Sequence, residues 1–180
     1  SAIIFEKPTT KIQIHQYVFF NKSIRDIARE IVEEAKQNPW VKAVEIYQCI
    51  SPFSTTNLCE GLDALDPSIQ IFGGIVCSPD ITSPNSCVFS SVGGYSKTGI
   101  LVVFYGGPEF HVESRKISGW KPIGRNFHVT RSKGNVLYEL SSLPAYEVYN
   151  KYLNIKNDNN FFYNALEFPM LYEHKGISIV

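Results

Sequence analysis

The sequence predicts an α+β fold in which mixed, mostly antiparallel sheets pack with helices in a layered sandwich. Three observations predict it: period-two runs that mark strands, an apolar stripe at helical spacing, and glycine pairs that cut the second half into short segments. In the first strand, Ile12, Ile14, Val18 and Phe20 alternate with Gln13, His15, Tyr17 and Phe19, and Gln16 breaks the first set. One face of that strand is therefore expected to be wet or partly wet. Ser23 followed by Asp26 resembles a capping box, after which Ile24, Ile27, Ala28, Ile31, Val32 and Ala35 share one helix face until Pro39 stops it. Asn21-Lys22-Ser23 also spells a glycosylation sequon, but capping accounts better for Ser23.

A strand over about 41–50, a shorter helix through Leu58, Leu62 and Leu65, and a strand over 69–77 that enters Gly73-Gly74 complete an order implying an α/β crossover. Strands are then expected at 87–92, 99–105, 109–117, 125–131 and 135–140, separated by Gly93-Gly94, Gly106-Gly107-Pro108 and Lys133-Gly134. Such short spacing favours antiparallel hairpins. The run Ile100-Leu101-Val102-Val103-Phe104 is the candidate for a central strand covered on both faces. Ser142 and Pro144 open a helix with Ala145, Val148, Tyr149 and Tyr152 on one face. A polar linker at 154–160, a short helix near 161–166 and a terminal strand at 176–180 follow.

At 180 residues the chain has the length of one ordinary domain or of part of a larger one. It opens Ser1-Ala2, which reads as a tag remnant, and contains a single Met, Met170, so a piece of a longer polypeptide is expected. Lys plus Arg and Asp plus Glu stand at 17 each, so nothing attracts phosphate backbones in bulk and nucleic acid is not an expected partner. No apolar run approaches the roughly 20 residues that cross a bilayer, so no membrane span is expected within this stretch. Cys49, Cys59, Cys77 and Cys87 lack CxxC spacing and are expected as buried free thiols of a reducing, cytoplasmic compartment.

Several constellations could carry chemistry. Cys77 could meet His111 or His128 as nucleophile and base, although a buried core thiol is the favoured reading. Cys77, Cys87, His111 and His128 fit no zinc spacing, so no metal is expected. Glu109, His111, Glu113 and Arg115 recur at period two and would share one strand face, solvated by default and otherwise suited to a zwitterion. Without a GxGxxG or Walker pattern no nucleotide cradle or cofactor is expected. The strand-end glycines serve as turns, or else let backbone amides approach a small ligand.

Four motifs in the second half carry a resemblance: Gly119-Trp120-x-Pro122-x-Gly124, Val129-Thr130-Arg131, Gly134-Asn135-x-x-Tyr138-Glu139-Leu140, and Pro144-Ala145-x-x-Val148-Tyr149-x-x-Tyr152-Leu153. With Ile71-Phe72-Gly73-Gly74 upstream, they resemble the FIST domain, a sensory module of bacterial signal-transduction proteins and of some F-box proteins. The resemblance covers roughly residues 40–153 and is most specific in the last thirty. It implies that residues 3–153 are the later part of the amino-terminal FIST region and 154–180 the start of its carboxy-terminal region. It also implies sensing of a small molecule, amino acids among them, with output through an attached domain such as a diguanylate cyclase or histidine kinase. No catalytic residue transfers with it.

The expected ligand contacts are Gly73, Gly74, Trp120, Arg125, Thr130 and Glu139. Arg125 would clamp a carboxylate, Glu139 would take an ammonium and Trp120 would wall one side. Two departures from the family pattern remove polar handles: Ser141-Ser142 stands where an Asp-Gly pair is usual, and Ser118 where His is frequent. A cysteine-dependent enzyme and a protein-interaction scaffold are the rival readings.

Overall fold

The Ser23 capping box starts the helix on which the first half is built. The computed structural model describes residues 4–20, 22–49, 55–77, 85–115, 119–134, 136–174 and 177–179. Two units are distinguished, Ser1–Lys116 and Ile117–Val180. The first contains β1 (Lys11–Val18), α1 (Ile24–Gln37), β2 (Val41–Cys49), α2 (Thr55–Leu62), β3 (Gln70–Val76), β4 (Val88–Ser90), β5 (Gly94–Ser96) and β6 (Gly99–Gly106). The sequence read 93–94 as a turn only; β5 instead pairs with β4 in a small hairpin.

The main sheet has the order β1-β6-β2-β3, with β6 antiparallel to both of its neighbours and β2 parallel to β3. The two crossovers step the same way across it, so right-handed connections place α1 and α2 on one face. Every residue of the stripe read from the sequence, from Ile24 to Ala35, is buried there. They pack on Val44 and Ile46 of β2 and on Ile100, Val102 and Phe104 of β6, with Phe104 only 1% exposed. The apolar run thus forms a central strand as expected, buried on the helix side and closely covered on the other at Val103.

The facing of β1 refines the expectation. Gln13, His15 and Tyr17 register with Phe104, Val102 and Ile100 on the helix side, while Ile12 and Val18 point away and stay about half exposed. Polar groups are tolerated under α1 because Glu34 meets them: Gln13 Nε2 donates to Glu34 Oε1 at 2.9 Å and His15 Nε2 lies 3.6 Å from it. Burial, with Glu30 and Glu34 close by, pushes the Tyr17 phenol up to about 12.

No strand forms over 109–115, contrary to expectation. Pro108 cannot donate to a ladder, and side chains distant in sequence hold the segment instead. Lys42 Nζ donates to the carbonyls of Pro108 and Phe110, Thr9 Oγ1 donates to Glu109 at 2.9 Å, and Ser114 Oγ donates to Gln70 at 2.8 Å.

The second unit contains β7 (Val129–Lys133), β8 (Val136–Leu140), β9 (Leu143–Pro144), α3 (Ala145–Leu153), α4 (Phe161–Leu166), β10 (Tyr172–His174) and β11 (Ile177–Ile179). The strand expected at 125–131 begins only at Val129, and all its residues are exposed, so Val129 does not point inward. The stretch at 154–160 is more than a linker, because Asn154 caps α3 in a left-handed conformation and Ile155 is buried. Leu140, Val148 and Ile155 are the buried apolar residues described in this unit.

Two substitutions probe the first unit. Phe104→Ala is expected to cost about 3–5 kcal/mol and Ser23→Ala about 1 kcal/mol in urea unfolding. Hydrogen bonding to the Ser23 hydroxyl holds the Asp26 carboxyl below its ordinary value of 3.8, aided by Arg29. A depressed carboxylate contributes stability above its unfolded value, and loses it as pH falls through the folded one. Ser23→Ala is therefore expected to flatten the stability profile below about pH 4, measured as unfolding midpoint against pH.

Candidate functional site

Gly73 and Gly74 lie on β3, paired in register with Ile46 and Tyr47 of β2. They differ sharply. Gly73 has φ 139°, and a Cβ there would sit 1.9 Å from the Ile46 carbonyl oxygen, so the close approach of β2 alone requires glycine. Gly74 faces open space, which leaves a notch beside Tyr47.

On the sheet face away from the helices, Glu45 of β2 is held between two phenols. Tyr47 donates to its Oε1 at 2.5 Å, and Tyr105 of β6 donates to its Oε2 at 2.6 Å. The Tyr105 ring stacks on Phe110 with centroids 6.2 Å apart and planes 7° from parallel, and Phe5 tilts against both rings. Burial first, then the Glu45 hydrogen bond and charge, raise the Tyr105 phenol strongly. The bond to Glu45 is the chief cause of the rise at Tyr47. Both therefore remain donors across the neutral range. Among the described residues no Lys, Arg or His comes within ion-pair distance of Glu45. Sequence reasoning missed this group; Glu45 and Tyr47 at period two were visible, but Tyr105 arrives only through the β2–β6 register.

The other expected contacts belong to the second unit. The Arg125 guanidinium lies over the rings of Phe127 and Tyr152, 4.9 and 5.3 Å from their centroids, and these rings meet edge to face. It forms no hydrogen bond or ion pair among the described residues. Thr130 Oγ1 accepts from the Ser142 amide at 3.0 Å. Glu139 pairs with Arg131 Nε at 2.9 Å, and that guanidinium covers Tyr138. Trp120 is 50% exposed in a segment without regular structure. Thr130 and Glu139 thus sit on adjoining strands of one hairpin, while Arg125 is held by its own aromatic pair.

Cys77 and Cys59 are exposed, which corrects the expectation of burial. Cys77 lies just beyond the end of an edge strand, and Cys59 is on the outer side of α2, whose inner side is Leu58 and Leu62. Cys49 is buried as expected. Among the described residues no group of three or more His, Cys, Asp or Glu could hold a metal ion. Two open grooves of about 330 and 380 Å³ flank α2, one beside Leu65 and Pro67 and one against Arg25 and Glu60 of the two helices. Neither is lined by the expected contacts.

A family model described as the FIST N domain matches residues 1–142. The chain belongs to the FIST N domain family. Membership is consistent with a non-catalytic sensory module of signal transduction. No curated protein and no solved structure matches the chain significantly. Among the described residues, no helix is long and apolar enough to cross a membrane.

In this FIST N domain the Ser141-Ser142 position proves to be turn chemistry. Leu140 pairs with Leu143, and the two serines between them have φ 50° and 67°, the signature of a type I′ hairpin turn. Asp-Gly suits that turn better than serine does, because glycine has no Cβ to strain at positive φ. The turn is fastened by the Ser141 amide to the His128 carbonyl at 2.7 Å and by the Ser141 hydroxyl, which accepts from the His128 amide. Ser118, the other departure, lies outside the described residues.

Stability measurements separate these roles. Gly73→Ala is expected to cost about 3 kcal/mol or more, whereas Gly74→Ala changes stability by less than about 1 kcal/mol. Ser142→Gly is expected to stabilise the FIST N domain by about 1 kcal/mol, because it relieves one left-handed side chain. Comparable losses at both glycines, or a loss at Ser142→Gly, would contradict these assignments.

Proposed function

We propose that this FIST N domain is the ligand-binding input module of a signal-transduction protein, taking a small polar molecule, an amino acid among the candidates, and releasing it unchanged. The observation that best supports the reading is Arg125. Its guanidinium lies over the rings of Phe127 and Tyr152, and with no hydrogen bond or ion pair among the described residues its N–H groups are available to a planar carboxylate. Holding the cation by rings rather than by a counter-ion keeps its charge uncompensated, and pre-ordering reduces the entropy lost on binding.

Trp120, Thr130 and Glu139, of the same unit as Arg125, are proposed as further contacts, whereas Gly73 and Gly74 belong to the first unit. Glu139 can serve an ammonium group only by sharing or exchanging its present bond to Arg131. The reading further takes residues 154–180 as the beginning of the family's carboxy-terminal region. Output would pass to a cyclase or kinase domain of the same cytoplasmic polypeptide.

Thermal unfolding of the 180-residue chain against amino acids and simple carboxylates tests the proposal. A ligand at 100 times its dissociation constant is expected to add about 2.7 kcal/mol of stability. Arg125→Lys keeps the charge but loses the flat fork, so it should weaken carboxylate binding about tenfold, or 1.4 kcal/mol. A wild-type protein indifferent to every compound in the panel would overturn the reading.

A further inference from the structure

We propose that Glu45, Tyr47 and Tyr105 form a recognition site for a small organic cation carrying a primary or quaternary ammonium group. The site lies in the first unit on residues distinct from Arg125, and it depends on the proposed function only in treating the chain as a binding module.

Charge carries the first part of the argument. Glu30 has Lys22, Glu60 has Arg25 and Glu109 has Lys7 within reach, while Glu6, Asp63 and Asp66, which have no such partner among the described residues, are exposed to water. Glu45, half-buried on the sheet face, has none among the described residues. Lys42, close by on the same strand, is committed to two backbone carbonyls at 3.3 and 2.9 Å. Each Glu45 oxygen accepts one phenol and retains lone-pair capacity for another donor. The two phenols fix the carboxylate in orientation without neutralising it.

Shape and surface carry the second part. Tyr47 is 38% exposed, and Gly74 beside it leaves empty space where a side chain would stand. Tyr105 is braced by Phe110 and Phe5, so its ring cannot easily swing away. Ring faces attract a cation electrostatically, and they do so most strongly when a carboxylate next to them supplies net charge. An anion would be repelled by Glu45. A neutral polar molecule would forgo the electrostatic part of the attraction.

The test titrates the 180-residue chain with butylammonium, putrescine and tetramethylammonium, and with acetate as the anion of matched size, by NMR of labelled tyrosine rings. The expected result is a saturable shift of the Tyr47 and Tyr105 resonances with the ammonium probes, weaker at high salt, and none with acetate. Glu45→Gln should lower affinity about tenfold, equivalent to 1.4 kcal/mol. If that variant fails to fold, Tyr47→Phe serves, and it should lower affinity about threefold through loss of one carboxylate-orienting bond. Ring resonances indifferent to all three ammonium probes, or unchanged affinity in the folded variant, overturn the proposal. A chain stabilised by carboxylates but blind to ammonium probes loses this site alone, and the opposite pattern loses the Arg125 reading alone.

Discussion

The insertion of β6 between β1 and β2 is the constraint on which the first unit depends. Without that strand the two ends of the β1-α1-β2 crossover would face each other across a gap, and α1 would have no floor. Ile100, Val102 and Phe104 provide the floor, and the antiparallel registers on both sides fix which side chains stand on each face. A one-residue slip of β6 would turn Phe104 out and Val103 in. The packing of the helices and the chemistry of the opposite face are therefore set by the same ladder.

How much of this was legible depended on whether the information was local. The α1 cap and stripe are local, and the sequence yields both with the correct start and buried face. The centrality of β6 follows from an uninterrupted apolar run that water would punish at an edge. The facing of β1 does not follow from its own residues, because Glu34 from α1 makes room for Gln13 and His15 where apolar side chains were the simpler expectation. The period-two charges from Glu109 to Arg115 misled for the opposite reason. Nothing in the pattern revealed that Lys42 and Gln70 would satisfy the segment without a ladder.

The candidate site was legible in residue type and less so in arrangement. Arg125 and Glu139 were identified as charges of interest, and their surroundings separate them: one rests on aromatic rings, the other is matched by Arg131. Glu45 escaped notice because its significance comes from what it lacks, a counter-charge, and from a phenol delivered by a distant strand. Ser141-Ser142 reads in the sequence as a loss of polar handles, and the positive φ values there add a backbone requirement. Side-chain chemistry and main-chain geometry leave similar marks in a sequence, and only the dihedral angles tell them apart.

β3 ends the main sheet among the described residues, and Ile71 and Ile75 are exposed upon it. Such a border invites another polypeptide to add a strand and begin self-association. Gly73, at φ 139°, stands midway along that border, and the register with β2 continues unbroken through it from Gln70 to Val76. The residue that lets β2 come close therefore holds the border strand in place, and its replacement would loosen the very edge on which Ile71 and Ile75 stand exposed.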